Sequence, residues 1–310
     1  MLTPNRDALD VTSASSVSSS ITSADGTPLL VRRWAAVGDR WAQMLLVHGL
    51  AEHSGRYERT GRLLADAGID VTAFDLRGHG GSGGRWGDVG RWTDYLDDIA
   101  VRIAAVRAEA GGRPVVLFAH SYGGLISTDY VLSGRPAPDL LVLSGPALDD
   151  GLPRWQHILA PLIARVWPTL ALKNAWGPDV LSRDPEVGRL AGLDPGNPER
   201  MTVRLGALGF AAQERVRATL ATLAVPTLVF HGSDDRLVPP TATQPFEGLP
   251  GVTRRVYPGL RHETLNEPEG PQVVADVVAW LREASRQGPS GSGGKIRTYD
   301  QAVNSRPLYH

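Results

Sequence analysis

The ten residues Val115-Val116-Leu117-Phe118-Ala119-His120-Ser121-Tyr122-Gly123-Gly124 organise this chain. Four apolar residues give way to a small residue, a histidine, a serine and, one position on, two glycines. A helix-compatible stretch follows. A strand, a tight turn and a helix with serine at the apex make a nucleophile elbow, which lifts a hydroxyl above the end of a sheet. The turn is strained, so its flanks must be small. The usual spacing is G-x-S-x-G; Ala119 stands in for the first glycine and is still small. An ordinary Ser-Gly turn looks the same over five residues, so the assignment depends on partners elsewhere.

A serine nucleophile needs a base, and the base needs an orienting acid. With such an elbow the chain order is serine, acid, histidine. Pro226-Thr227-Leu228-Val229-Phe230-His231-Gly232 reads as a buried strand. Ser233-Asp234-Asp235-Arg236 follows at its carboxyl end, where open α/β sheets place functional groups. Thr253-Arg254-Arg255-Val256-Tyr257 reads as the last strand, Pro258-Gly259-Leu260-Arg261 break it, and His262 comes next. The expected catalytic set is Ser121, Asp235 and His262. His231 follows the serine but precedes the acid, and reads as a polar residue beside the site. His120 adjoins the serine with its side chain directed away, and His310 lies in the tail. Asp234 is one position off and faces the other way. Asp149 and Asp150, after the strand at 140–144, remain an alternative source of the acid.

A negative oxygen developing on the substrate must meet preorganised donors. The N–H of Tyr122, just after the nucleophile, is one. Met44-Leu45-Leu46-Val47-His48-Gly49-Leu50 reads as an early strand with a tight exit, and Leu50 N–H is the expected second donor.

Five blocks together resemble the monoacylglycerol lipase family of α/β hydrolases. His48-Gly49-Leu50-Ala51-Glu52-His53-Ser54-Gly55-Arg56-Tyr57 is similar to its H-G-x-x-E-H-S-x-R-Y, and Asp75-Leu76-Arg77-Gly78-His79-Gly80-Gly81-Ser82 to D-x-R-G-H-G-x-S. His231-Gly232-Ser233-Asp234-Asp235 resembles H-G-x-x-D, and His262-Glu263-Thr264-Leu265-Asn266-Glu267-Pro268 resembles H-E-x-x-N-E-P. Ser182-Arg183-Asp184-Pro185 is also similar. The likeness runs over about residues 20–285. It departs at Ala119 and at Tyr122, where the family often has Met; a tyrosine there is expected to narrow or polarise the acyl entrance. The resemblance implies a serine ester hydrolase that needs no cofactor or metal and takes a small lipid ester, a monoacylglycerol, as its substrate.

These blocks also have plain physical readings. Asp75 and Arg77, in a glycine-dense turn, are expected to pin loops together. Glu52 and Arg56, beside the oxyanion loop, either hydrogen-bond a polar headgroup or pin that loop. The glycines at 80–84 lack the Lys-Ser/Thr of a phosphate-binding loop.

The chain has 310 residues, enough for one sizeable α/β core. A net charge of −1 leaves no basic excess to neutralise phosphates, which argues against nucleic acid. With no cysteine there is neither a disulfide framework nor a thiolate metal site, and the 8 histidines show no metal-ligand spacing. No run of 18 apolar residues spans a membrane, and residues 1–20 lack the apolar core of a secretory signal, so a cytoplasmic location is expected.

From residue 43 strands alternate with helical stretches, implying a mostly parallel sheet with helices on both faces. A hairpin at 18–37 precedes it, turning at Asp25-Gly26. Leu96, Ile99, Ile103 and Val106 mark the core stripe of one helix, and Val273, Val277, Trp280 and Leu281 that of the last. The expected fold is an α/β hydrolase whose core comprises 18–149 and 223–286. The alternation lapses over 150–222, where a helical cap is expected. Within it Ile158, Leu162, Ile163, Val166 and Trp167 are expected to line an acyl pocket, with transient contact between the cap and a lipid surface as a further role. Residues 1–17 are expected to be disordered. So is 287–310, whose Gly-Ser composition and aperiodic end suggest read-through past a natural stop.

Three alternatives stand beside the monoacylglycerol reading. The same triad serves lysophospholipases, general carboxylesterases, peptidases and acyltransferases. Dehalogenases and epoxide hydrolases place aspartate at the elbow, which Ser121 disfavours. A non-catalytic binding protein would be expected to lose a triad member, and none is missing.

Overall fold

The computed structural model describes residues 15–174 and 177–287. The expected disordered lead and read-through tail therefore fall almost wholly outside the described residues. The chain opens with β1 (Val17–Thr22) and β2 (Pro28–Trp34), paired as an antiparallel hairpin. Then come β3 (Ala42–Val47), α1 (Glu58–Asp66), β4 (Ile69–Phe74), α2 (Trp92–Ala110), β5 (Val115–His120), α3 (Ser121–Leu132) and β6 (Leu140–Ser144). The chain next runs through α4 (Arg154–Val166), β7 (Ala171–Lys173), α5 (Pro185–Leu193), β8 (Arg200–Thr202) and α6 (Val203–Thr219). It returns as β9 (Thr227–Gly232), β10 (Val252–Tyr257) and α7 (Gly270–Gln287).

The sheet order is β1-β2-β4-β3-β5-β6-β9-β10, with every pair from β4 to β10 parallel. Both faces of a parallel sheet are covered by helices, so its strands read as unbroken apolar runs. Every residue of β3, β4, β5, β6 and β9 is buried. Alternate side chains feed two cores. Leu45, Val47, Leu117, Leu141 and Val229 pack with residues of α2, α3 and α6. Leu46, Val116, Phe118, Val142 and Phe230 pack with α1 and α7. The expected stripes of α2 and α7 are both buried.

The strand order reverses between β3 and β5, since the chain leaves β3 for β4 on one side and then crosses to β5 on the other. Such a switch point opens a crevice at the carboxyl ends of the strands. The exits of β3 and β5 carry Leu50 and Ser121, so the topology alone brings the proposed donor and the serine together.

The segment between β6 and β9 is not uniform. α6 is built into the core, through Leu205, Ala212 and Val216. α4 is turned the opposite way from the sequence expectation. Ile158, Leu162, Val166 and Trp167 are 65%, 57%, 65% and 66% exposed, and only Ile163 of the expected pocket-lining set is half-buried. Gln156, His157, Ala160 and Ala164 form the inner face. His157 anchors this face: its ring stacks on Phe210 of α6 at 4.0 Å between centroids, and Nε2 lies 3.1 Å from Asp150 Oδ1. The small, thin polar side is thus the packed side. Among the described residues no helix is long and apolar enough to cross a membrane.

Candidate active site

β5 stays extended through His120, and the chain then reverses at Ser121, whose φ is +52°. Left-handed backbone at a residue with a Cβ costs about 1–2 kcal/mol and persists only where its surroundings hold it. Among the described non-glycine residues, Ala51 in the β3 exit shares this conformation, at φ +56°. The two strained positions thus sit in the two loops that flank the switch point. They are pressed together: a Cβ on Gly123 would stand 2.2 Å from the carbonyl oxygen of His48, so only glycine lets the start of α3 meet the β3 exit.

The strain presents Ser121 Oγ to His262. Nε2 of His262 lies 2.9 Å from Oγ, and its Nδ1 lies 2.7 Å from Asp235 Oδ2. Asp235 is fixed from further sides. Its Oδ1 accepts the N–H groups of Leu237 and Val238 at 2.8 and 2.9 Å. His231 Nε2 lies 2.9 Å from Oδ2 and 3.0 Å from the Val238 carbonyl. All three members of the chain are buried.

Electrostatics matches the geometry. Burial opposes ionisation of Asp235, but the imidazole of His262 and the hydrogen bonds from His231 and His262 outweigh it and hold the carboxyl below the usual range. Burial likewise opposes protonation of His262; Asp235, with Glu263 and Glu52 beyond it, prevails and raises its pKa. The arrangement can draw the proton from a serine hydroxyl and stabilise the imidazolium that results.

The β3 exit can present an N–H to an anion. His48 is fully buried, and burial pushes its pKa down to about 4. Its Nε2 accepts Leu76 N–H at 2.8 Å, so Nδ1 carries the hydrogen and donates to the Gly49 carbonyl at 2.8 Å. Gly49 C=O and Leu50 N–H belong to one planar trans peptide, so holding the carbonyl aims the N–H the opposite way. Among the described residues that N–H makes no hydrogen bond. Tyr122 N–H is in the first turn of α3, where no intrahelical acceptor exists.

Glu52 and Arg56 resolve toward loop pinning. Glu52 accepts Gly49 N–H and, at 2.7 Å, the Tyr57 hydroxyl. Arg56 grips Glu263 through two nitrogens at 2.7 and 2.9 Å and reaches Glu52 at 3.3 Å. Both side chains are nearly enclosed, at 5% and 12% exposed, and neither presents itself to a headgroup. Asp75 holds Ser54 and Gly81 N–H groups at 2.8 Å each, and Arg77 holds Asp98 and Asp25, so these two also pin loops.

The rivals fall elsewhere. Asp149 caps its own turn, and Asp150 partners Leu152 N–H and His157; neither reaches His262. Asp234 is exposed. His120 packs its ring 4.7 Å from that of His262 and bonds the Ser144 carbonyl at 3.0 Å. Burial lowers its pKa to about 4, so it stays neutral beside the base. Tyr122 differs from expectation. Its side chain is buried beneath α6, with the hydroxyl donating to the Leu205 carbonyl at 3.2 Å, and does not point into an entrance. Sequence reasoning missed the Glu263–Arg56 pair, although Glu263 adjoins His262 and could have been flagged as a charge needing a buried partner.

A family model described as serine aminopeptidase, S33, matches residues 38–269. The chain is 32% identical over 266 residues to the monoacylglycerol lipase of Mycolicibacterium smegmatis, covering 83% of this chain and 93% of that one. It is 29% identical to the phospholipase YtpA of Bacillus subtilis, covering 80% and 98%. The crystal structure of Paleococcus ferrophilus monoacylglycerol lipase superposes with a TM-score of 0.75 at 30% identity, covering 83% of this chain and 99% of that one. The buried serine–histidine–aspartate chain at the switch point, the doubly covered parallel sheet and these likenesses agree: the chain belongs to the monoacylglycerol lipase family of α/β hydrolases.

Proposed function

We propose that this protein hydrolyses monoacylglycerols to fatty acid and glycerol through an acyl-enzyme on Ser121. The single observation that carries the reading is the unbroken hydrogen-bonded chain Ser121–His262–Asp235 at a serine held in left-handed backbone. His262 Nε2 takes the hydroxyl proton as Oγ attacks the ester carbonyl. The oxyanion forms against Leu50 and Tyr122 N–H groups. His262 then protonates the leaving glycerol oxygen, water enters, and the same imidazole activates it to release the fatty acid. Asp235 fixes the tautomer throughout. A family likeness in sequence and fold supports the lipid substrate.

Residues 150–222 are the proposed cap. Its apolar face, formed by Ile158, Leu162, Val166 and Trp167, supports transient contact with a lipid surface better than pocket lining. The phospholipase relative supports a second reading, lysophospholipid hydrolysis on the same triad. Hydrolysis of a 1-monoacylglycerol series, set against triacylglycerols, lysophospholipids and p-nitrophenyl esters, separates the two. Monoacylglycerol preference that vanishes in Ser121→Ala is expected. Activity confined to short activated esters would reduce the reading to a general carboxylesterase.

A further inference from the structure

α6 lies between β6 and β9, outside the sheet, and the hydrolytic scheme gives it no part. Its contacts converge on one peptide bond, the one joining Ser121 to Tyr122. Gln213 Nε2 donates to the Ala147 carbonyl at 3.0 Å, and Ala147 N–H donates to the Ser121 carbonyl at 3.0 Å. Because the peptide is planar and trans, fixing Ser121 C=O fixes the direction of Tyr122 N–H.

The second contact comes through the Tyr122 side chain. Its hydroxyl donates to the Leu205 carbonyl of α6 at 3.2 Å. Its ring lies in a notch that exists because residue 209 is glycine: a Cβ there would stand 3.0 Å from the tyrosine oxygen and 3.1 Å from Cε2. Trp92 closes the notch edge-on, 5.7 Å between centroids at 83°. Asp129, two turns along the same face of α3 from Tyr122, accepts from Trp92 Nε1 at 2.6 Å and from Arg215 of α6 at 2.7 Å.

Among the described residues, Gln213 Oε1 is buried without a hydrogen-bond partner. Such a group costs about 1–3 kcal/mol, which an apolar residue of the same length would avoid. We infer that α6 braces the oxyanion donor, with Gln213 and the Tyr122 side chain as positioning residues that act through the Ser121–Tyr122 peptide. The inference rests on the hydrolytic reading above. It makes α6 part of the catalytic frame and assigns the lipid-facing role to α4 alone.

The test is Gln213→Met and Tyr122→Phe, each measured for kcat and KM on p-nitrophenyl acetate and on a 1-monoacylglycerol, with Tm as the check on folding. Both variants keep the backbone N–H of residue 122, Ser121, His262 and Asp235. Loss of one buried hydrogen bond that aims a donor predicts a fall in kcat of about five- to tenfold, by the same factor on both esters, with KM changed by less than about twofold. Gly209→Ala crowds the Tyr122 ring without removing any hydrogen-bonding group and is expected to lower kcat likewise, which keeps the test alive should either other variant fail to fold. Unchanged kcat on p-nitrophenyl acetate in folded variants, or an effect confined to KM for the long-chain ester, overturns the brace alone. A wild-type protein inactive on both esters overturns the hydrolytic reading and the brace with it.

Discussion

Ser121 is useful because it is strained. A serine at φ +52° is held there by Gly123 against the His48 carbonyl and by Ala147 on its own carbonyl. Relaxation would swing Oγ away from His262. His262, the proposed base, is tuned in the same manner, by a buried Asp235 whose other lone pairs are already occupied. This gives a pH prediction whose sign is fixed. His262 must be neutral to accept the serine proton, and its pKa is raised by Asp235 against the opposing effect of burial. Activity therefore falls as pH drops through that raised value. The kcat/KM profile is expected to show an ascending limb with its midpoint above the ordinary histidine value of about 6.5. A midpoint clearly below that value would contradict the Asp235 assignment.

At the scale of elements, two helices of the same excursion do opposite things. α6 packs inward, while α4 holds its apolar side outward and its thin polar side against α6. Neighbouring large apolar residues exposed at this density mark a contact surface. Leu162→Ser combined with Val166→Ser removes apolar area that is already in solvent, so stability is expected to stay within about 0.5 kcal/mol per substitution. Turnover on monoacylglycerol carried in phospholipid vesicles is expected to drop several-fold, and turnover on dispersed p-nitrophenyl acetate to hold. Equal loss on both substrates would show that α4 shapes the site instead. Apolar periodicity could not reveal this direction. Ile158, Leu162 and Val166 give the same stripe whether the helix faces a pocket or a membrane, and the packed side shows only in the fold, where His157 stacks on Phe210.

For the whole molecule, the sheet was legible because parallel strands are buried on both faces. The run at 140–144 coincides with β6. The order serine, acid, histidine was legible because the elbow dictates it, and the distances at Ser121, His262 and Asp235 fit. What stayed hidden depends on long-range meeting. Nothing near Gln213 signals that it reaches Ala147, and Tyr122 read as an entrance residue because its slot, Gly209, lies far along the chain. Glu52 read evenly as headgroup ligand or loop pin, since only the fold reveals that Gly49, Tyr57 and Arg56 already surround it.

Ser121 is proposed as the one activated nucleophile. Treatment of the folded chain with a fluorophosphonate, followed by intact and peptide mass measurement, tests that assignment. One adduct per chain, located on Ser121 and absent from Ser121→Ala, is the predicted result. An unlabelled wild-type chain, or equal labelling of the Ser121→Ala chain, would contradict it.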